Sequence, residues 1–323
     1  VTLCGSADVD LAVSAARQAF ETVWAETPGA ARGRILIKAA KGIRDRLDEM
    51  AYWETLETGK PISQAKAEID AAADHYEAAA GMARLVSGET HNTYGEGMIG
   101  LVTKQPIGVV GLITPWNFPF IVLAERLPFI LAAGCTVVLK PSEMTSTTSL
   151  IFARILNEAG LPKGVYNVVT GTGPVVGEAM SNHLDIDMIS FTGSTAVGER
   201  VLEASKSNLK KVGLELGGKN PQVVFADANL DDAVDGVAFG MCFNAGQCCV
   251  SGSRLIIEAS IAEDFKAKLF EKLSKVKIGD PLDPDTQMGA IVTPQHFRKI
   301  LGYIEKGQSE GATLDVGGGS TSP

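Results

Sequence analysis

The segment Phe243-Asn244-Ala245-Gly246-Gln247-Cys248-Cys249 sets two adjacent thiols behind a flexible glycine and a polar glutamine. A cysteine works as a nucleophile when it is partly exposed and favoured as its thiolate, and this polar, turning context suits that better than a sealed core. Two small packing residues at a helix end are the other reading these residues allow. A second feature lies upstream. Gly193-Ser194-Thr195-Ala196-Val197-Gly198 follows the apolar run Ile189-Ser190-Phe191 and opens a helical pattern. Its backbone N–H groups and the positive end of the helix could face a phosphate. The turn lacks the GxGxxG fingerprint, and glycine-rich strand–helix turns are common. Gly171-Thr172-Gly173 is a similar turn. Neither ends in GKS or GKT, and Gly217-Gly218-Lys219 runs on into Asn220, which argues against an ATP-binding P-loop. His75, His91, His183 and His296 form no close pair with one another or with a cysteine cluster, so no metal site is expected.

Positioning such groups takes a sizeable scaffold. The 323 residues, 45% of them hydrophobic, are enough for a large core and two domains. A net charge of −9 without a basic stripe argues against a nucleic-acid surface. Apolar runs are broken by proline, glycine or charge well short of the roughly 20 residues that span a bilayer, so no membrane partner is expected. The first residues have neither the basic end nor the apolar core of a secretory signal. Five irregularly spaced cysteines make a poor disulfide framework and point to a reducing, cytoplasmic compartment.

Val9, Ala12, Val13, Ala16, Ala19, Phe20 and Val23 form one helical stripe over 8–26, and Ala-rich helical patterns follow over 29–57 and 61–87, punctuated by Gly59-Lys60-Pro61. The runs 98–104 and 108–113 read as strands joined around Gln105-Pro106. Strands and helices then alternate: 136–139 with a helix to 159, 165–169 with a helix from 174, and 188–191 with a helix from 194. That alternation predicts a parallel sheet with helices on both faces, an α/β Rossmann-like domain. A second alternation follows Gly217-Gly218, with strands at 222–225 and 254–258 and helices over 231–245 and from 262, and 317–323 is loop-like.

The motif F-N-x-G-Q-x-C resembles the nucleophile signature of the aldehyde dehydrogenase superfamily, with Cys249 at the nucleophile position and Cys248 its variable neighbour. Leu214-Glu215-Leu216-Gly217-Gly218-Lys219 is similar to the family's glutamate motif and stands at the expected separation. Pro115-Trp116-Asn117-Phe118-Pro119 is similar to its oxyanion segment. Lys140-Pro141-Ser142-Glu143 is similar to its ribose-binding segment, and Phe191-Thr192-Gly193-Ser194-Thr195 to its phosphate turn. The resemblance runs in order from about residue 8 to the end. It implies the aldehyde dehydrogenase fold: an NAD-binding domain over 1–87 and 109–217, an oligomerisation hairpin over 88–108 and a partial catalytic domain over 218–323. A homodimer or homotetramer would follow for a complete chain.

The chemistry implied by the resemblance is covalent. The Cys249 thiolate attacks a small-molecule aldehyde to give a thiohemiacetal, oxidation gives a thioester, and Glu215 activates the water that hydrolyses it. Partial burial of Glu215 would raise its basicity, and its apolar, tightly turning neighbours suggest such burial. The Asn117 amide and the Cys249 N–H would hold the oxyanion, where a lost donor typically costs about 10²–10³ in rate. Lys140 and Glu143 would contact the adenosine ribose; Ile113, Trp116, Gly173 and Val197 would wall the cofactor, and Thr192, Gly193 and Ser194 would form its phosphate turn. A 2′-phosphate would be repelled by Glu143, which favours NAD over NADP.

A helix starting after Asn117 would place Phe118, Val122 and Glu125 on one face, the family's substrate tunnel, where an acidic Glu125 favours a cationic aldehyde such as betaine aldehyde or an aminoaldehyde; the alternative is that Glu125 turns aside to a basic neighbour. A CoA-acylating semialdehyde dehydrogenase would lack the glutamate, and a cysteine hydrolase would need a histidine base that no nearby motif supplies. The family's later E-x-F-G-P motif and assembly strand are missing from these residues. A truncated, non-catalytic fragment is therefore the second expectation.

Overall fold

The computed structural model describes residues 1–320. Aliphatic, β-branched runs without polar alternation make strands that are covered on both faces. Among the described residues nine strands form: β1 (Glu89–His91), β2 (Gly100–Val102), β3 (Val109–Ile113), β4 (Thr136–Lys140), β5 (Tyr166–Val168), β6 (Met188–Gly193), β7 (Lys211–Leu216), β8 (Pro221–Val224) and β9 (Arg254–Ile257). Every residue of β3 and β4 is buried.

The chain divides into two compact units. The first, Val1–Met50 with Ala67–Leu216, holds a five-stranded sheet in the order β5-β4-β3-β6-β7. All four pairings are parallel. The chain builds outward from β3 through β4 to β5 and then returns to add β6 on the other side of β3. The helices Leu127–Ala133, Thr147–Ala159 and Thr195–Ala204 lie in its crossovers. Ser6–Ala19 is helical and buries Val9, Val13 and Ala16 in a core shared with Val109, Val138, Ile189 and Phe191. The expected parallel α/β architecture is what forms.

Several local expectations change. The stretch 8–26 forms the helix Ser6–Ala19 and then widens into a π-turn over Phe20–Trp24. The pattern over 29–57 splits into Gly29–Asp45 and Leu47–Thr58, because Arg46 leaves the helical region (φ −117°, ψ 22°) with neither glycine nor proline to announce it. β2 does not pair with β3. It pairs antiparallel with β1 in a separate two-stranded hairpin, while both edges of β3 are taken by β4 and β6. Lys211–Leu216, to which the sequence pattern assigns no element, is the edge strand β7.

The second unit comprises Ala51–Lys66 and the described residues from Gly217 onward. β8 and β9 pair in parallel. The helices Leu230–Cys242 and Ala262–Ser274 pack Val234, Val237, Ala238, Phe265 and Leu269 around Val224. Residues 51–66, read as continuous with the first domain, fall in this unit, where Ala290 N donates to Gly59 O (3.1 Å) and Ile62 N to Pro281 O (2.8 Å). Of the loop expected over 317–323, residues 321–323 lie outside the described residues. Among the described residues no helix is long and apolar enough to cross a membrane.

The entry to β3 is pinned by one carboxylate. Asp187 Oδ2 accepts from Val109 N (2.7 Å) and from Arg17 Nη2 (2.5 Å). Gly108 makes room for it: φ is +129°, and a Cβ there would stand 1.9 Å from Asp187 Oδ2. Gly108→Ala therefore combines a strained backbone with a displaced carboxylate, and thermal unfolding should show a loss of about 2 kcal/mol or more. An unchanged Tm would show that β3 is not anchored this way.

Candidate functional site

In an open parallel sheet the loops leaving adjacent strands in opposite directions part at the carboxyl ends and leave a crevice. Here that point lies between β3 and β6, and a cavity of about 350 Å³ opens there. From the end of β3 come Ile113 and Trp116; from the end of β4, Lys140 and Glu143. Gly173 begins the turn after β5, and Thr192, Gly193, Ser194 and Val197 run from β6 into the next helix. All nine positions anticipated for cofactor contact thus line one cavity within the first unit.

Its chemistry is mixed. Ile113, Trp116, Phe191 and Val197 supply apolar wall. The helix Thr195–Ala204 points its N-terminus here, and Ser194 precedes it in extended geometry without a side-chain cap. The first-turn N–H groups of a helix have no intrahelical acceptor, so they and the helix dipole favour an anion. Gly198 lets this helix approach β7, since a Cβ there would meet Leu216 Cδ2 at 2.7 Å. Lys140 is 3% exposed, with Nζ 3.0 Å from Pro141 O and 3.4 Å from Glu143 Oε2. Burial pushes the lysine pKa down, and the Glu143 carboxylate partly restores it. Thr114 and Thr192 also line the cavity, and the hydroxyl of each is buried with no hydrogen-bond partner. Buried hydroxyls are rarely left so, which marks them as groups a ligand would satisfy. Thr114 was missed in the sequence because a lone threonine after a strand carries no signal.

Asn117 is half-buried in the bend after β3. Glu215 lies on β7 in register with Thr192. It is exposed, contrary to the burial expected from its neighbours, because β7 is the sheet edge and Glu215 falls on the outer side of the strand alternation. Of the three residues expected on one helix face, Phe118 O accepts from Val122 N (3.2 Å). Phe118 precedes the helix Pro119–Ala124 with φ −136°, ψ 64° and is buried, and Glu125 ends it, exposed. Glu125 Oε2 lies 3.2 Å from Arg126 Nη1, so its charge is answered by a basic neighbour.

In the second unit Cys249 is exposed and Cys248 half-buried, and all five cysteines are free thiols. After the helix Leu230–Cys242 and Phe243 come three consecutive left-handed residues, Asn244 (φ 49°), Ala245 (φ 54°) and Gly246 (φ 72°). The chain then enters a turn in which Ser251 N donates to Cys248 O (3.2 Å). Asn220 holds this turn: its Nδ2 donates to Cys249 O (2.8 Å) and Ser251 O (3.2 Å). Asn220 was read only as the residue that spoils a P-loop; its role depends on a contact across 29 positions. No group of three or more His, Cys, Asp or Glu side chains able to hold a metal occurs among the described residues.

Comparison with known proteins is consistent with these features. Residues 1–323 match the model of the aldehyde dehydrogenase family. Aldehyde dehydrogenase family 2 member C4 of Arabidopsis thaliana is 44% identical over 96% of this chain and 63% of its own length. The crystal structure of NAD-dependent aldehyde dehydrogenase from Sinorhizobium meliloti is 48% identical with a TM-score of 0.97, covering 98% of this chain and 63% of that one. The NAD+ complex structure of aldehyde dehydrogenase from Bacillus cereus is 38% identical with a TM-score of 0.98, covering all of this chain and 66% of that one. The chain thus spans about 63% of the length of the curated relative.

The left-handed Ala245 gives a direct check on strain before the thiols. A methyl-bearing residue costs about 1 kcal/mol or more there and glycine does not, so Ala245→Gly should raise stability by about 0.5–1 kcal/mol in denaturant unfolding. A loss of stability would show the loop to be relaxed.

Proposed function

Since the chain belongs to the aldehyde dehydrogenase family, we propose that it serves the NAD-dependent oxidation of a small-molecule aldehyde to its carboxylic acid, with Cys249 as the nucleophile. The observation that carries this reading is the switch-point cavity. It combines an apolar cleft, an uncapped helix N-terminus, a buried cation and two orphaned hydroxyls. That donor set fits a dinucleotide: phosphates at the start of Thr195–Ala204, ribose hydroxyls against Lys140 and Glu143, and rings against Ile113, Trp116 and Val197. The NAD complex of the Bacillus cereus relative supports the choice of cofactor. Glu143 disfavours a 2′-phosphate, hence NAD rather than NADP. When bound, NAD supplies the hydride acceptor.

The chain's own groups do the rest. Cys249 is exposed on a turn pinned through its own carbonyl, so its thiolate is presented for attack on the aldehyde carbon. The Asn117 amide and the Cys249 N–H donate to the oxygen as it becomes negative. Glu215 takes the proton of the water that hydrolyses the thioester, returning the thiol. Glu215 in this role favours hydrolysis over acyl transfer to CoA. The Glu125–Arg126 pair removes the argument for a cationic substrate, and the aldehyde is left as a general one. The β1–β2 hairpin, with Ile99 and Leu101 exposed, is proposed as the arm of a homodimer or homotetramer. The free thiols suit the cytoplasm.

An aldehyde panel followed by NADH absorbance tests the activity. Turnover should be lost in Cys249→Ser and fall by about 10³ or more in Glu215→Gln; retained oxidation in Cys249→Ser would refute the mechanism. Cofactor binding is tested separately by calorimetry. Gly173→Trp meets no atom within 4 Å at its Cβ, so it should fold while filling the cavity and weaken NAD binding about 10-fold or more. Equal affinity would move the cofactor elsewhere.

A further inference from the structure

Resting on the reading of Cys249 as the nucleophile, we propose that Gln247, anchored through the buried Glu54–Lys60 pair, is a positioning residue that braces the thiol-bearing loop. Asn244 and Ala245 hold left-handed backbone just before the cysteines, and strain of that kind persists only where surrounding contacts over-determine the backbone. Gln247 supplies those contacts. Its side chain is buried; Nε2 donates to Asn244 O (3.3 Å), and its backbone N donates to the same oxygen (3.0 Å). Asn244 Nδ2 donates in return to Gln247 O (3.2 Å). The left-handed run is thus clamped at both ends by reciprocal amides. Gln247 Oε1 reaches out of the clamp and accepts from Val292 N (3.0 Å), a contact across 45 positions.

The strand of chain that holds Gln247 is itself fixed. Two residues before Val292, Ala290 N donates to Gly59 O. Gly59 and Gly289 are glycine by necessity: Gly59 has φ +80°, and a Cβ on Gly289 would stand 1.9 Å from Gly59 O. Gly59 follows the end of the helix Leu47–Thr58, where Thr58 Oγ1 donates to Glu54 O and accepts from Lys60 N. Lys60 Nζ then lies 3.1 Å from Glu54 Oε1, with both side chains fully buried. Glu54 Oε2 has no hydrogen-bond partner. A buried, incompletely satisfied ion pair is a poor source of net stability but a strict determinant of geometry. The order of contacts is therefore Glu54–Lys60, Gly59, Ala290, Val292, Gln247 and the thiol turn, all within the second unit.

The test is hydrogen exchange of the chain and its variants, with iodoacetamide labelling of Cys249 read by peptide mass. Gln247→Met keeps the volume and loses both amide contacts. It should speed exchange over 244–252 and 290–292 by about tenfold while leaving the helix Ala262–Ser274 unchanged. Gln247→Glu keeps an acceptor for Val292 N, so protection at 292 should return while that over 244–247 stays low. Lys60→Met should speed exchange over 288–292, and the neutral Glu54→Leu/Lys60→Met double variant should restore most of it. Unchanged exchange at 290–292 in Gln247→Met, or equal acceleration in Ala262–Ser274, overturns the brace. Labelling of Cys249 no faster than that of Cys4 in the parent chain overturns its link to catalysis, whatever the exchange shows.

Discussion

The first unit depends on β3 having parallel neighbours on both edges. A strand paired on both sides and covered on both faces favours apolar side chains along its length, and Val109, Val110, Leu112 and Ile113 are all buried aliphatics. The same arrangement forces the chain to leave β3 toward β4 and to come back beside it as β6. Loops from the two strands then diverge at their carboxyl ends, and the crevice between them is a consequence of topology before any ligand is considered. Lys140 and Thr192 face that crevice because they sit at the ends of β4 and β6, where strand alternation meets the loops.

The thiol segment is organised on another principle. No sheet holds Cys249. Its loop is left-handed over three residues, bridged by the side-chain amides of Asn244 and Gln247, and the turn that follows is held by Asn220. Backbone held in a sparsely populated region by many directional contacts has little freedom to relax, and a reactive group carried on it stays where the contacts put it. A rigid sheet in the first unit and a braced loop in the second are two ways of limiting backbone freedom.

The alternation of apolar runs with helical stripes made the parallel sheet legible, and the short motifs at strand ends located the cavity-lining positions, because both signals are local. What escaped depends on distant partners. Lys211–Leu216 becomes a strand only by pairing with β6, and its edge position, invisible in the residues, is what exposes Glu215. Residues 51–66 continue the helical pattern of their neighbours, yet Gly59 packs against a loop some 230 positions away. Glu125 followed by Arg126 could be read as a free acid or as an ion pair, and side-chain geometry decided for the pair. Gln247 belonged to a recognisable motif, but the acceptor role of its Oε1 needs Val292 beside it.

Whether the switch-point cavity is the dinucleotide site is tested most directly by a crystal structure of this chain soaked with NAD. The predicted density runs along the carboxyl ends of β3, β4 and β6, with a ribose against Lys140 and Glu143 and the pyrophosphate at the start of Thr195–Ala204. NAD bound at any other surface, with this cavity left to solvent, would contradict it.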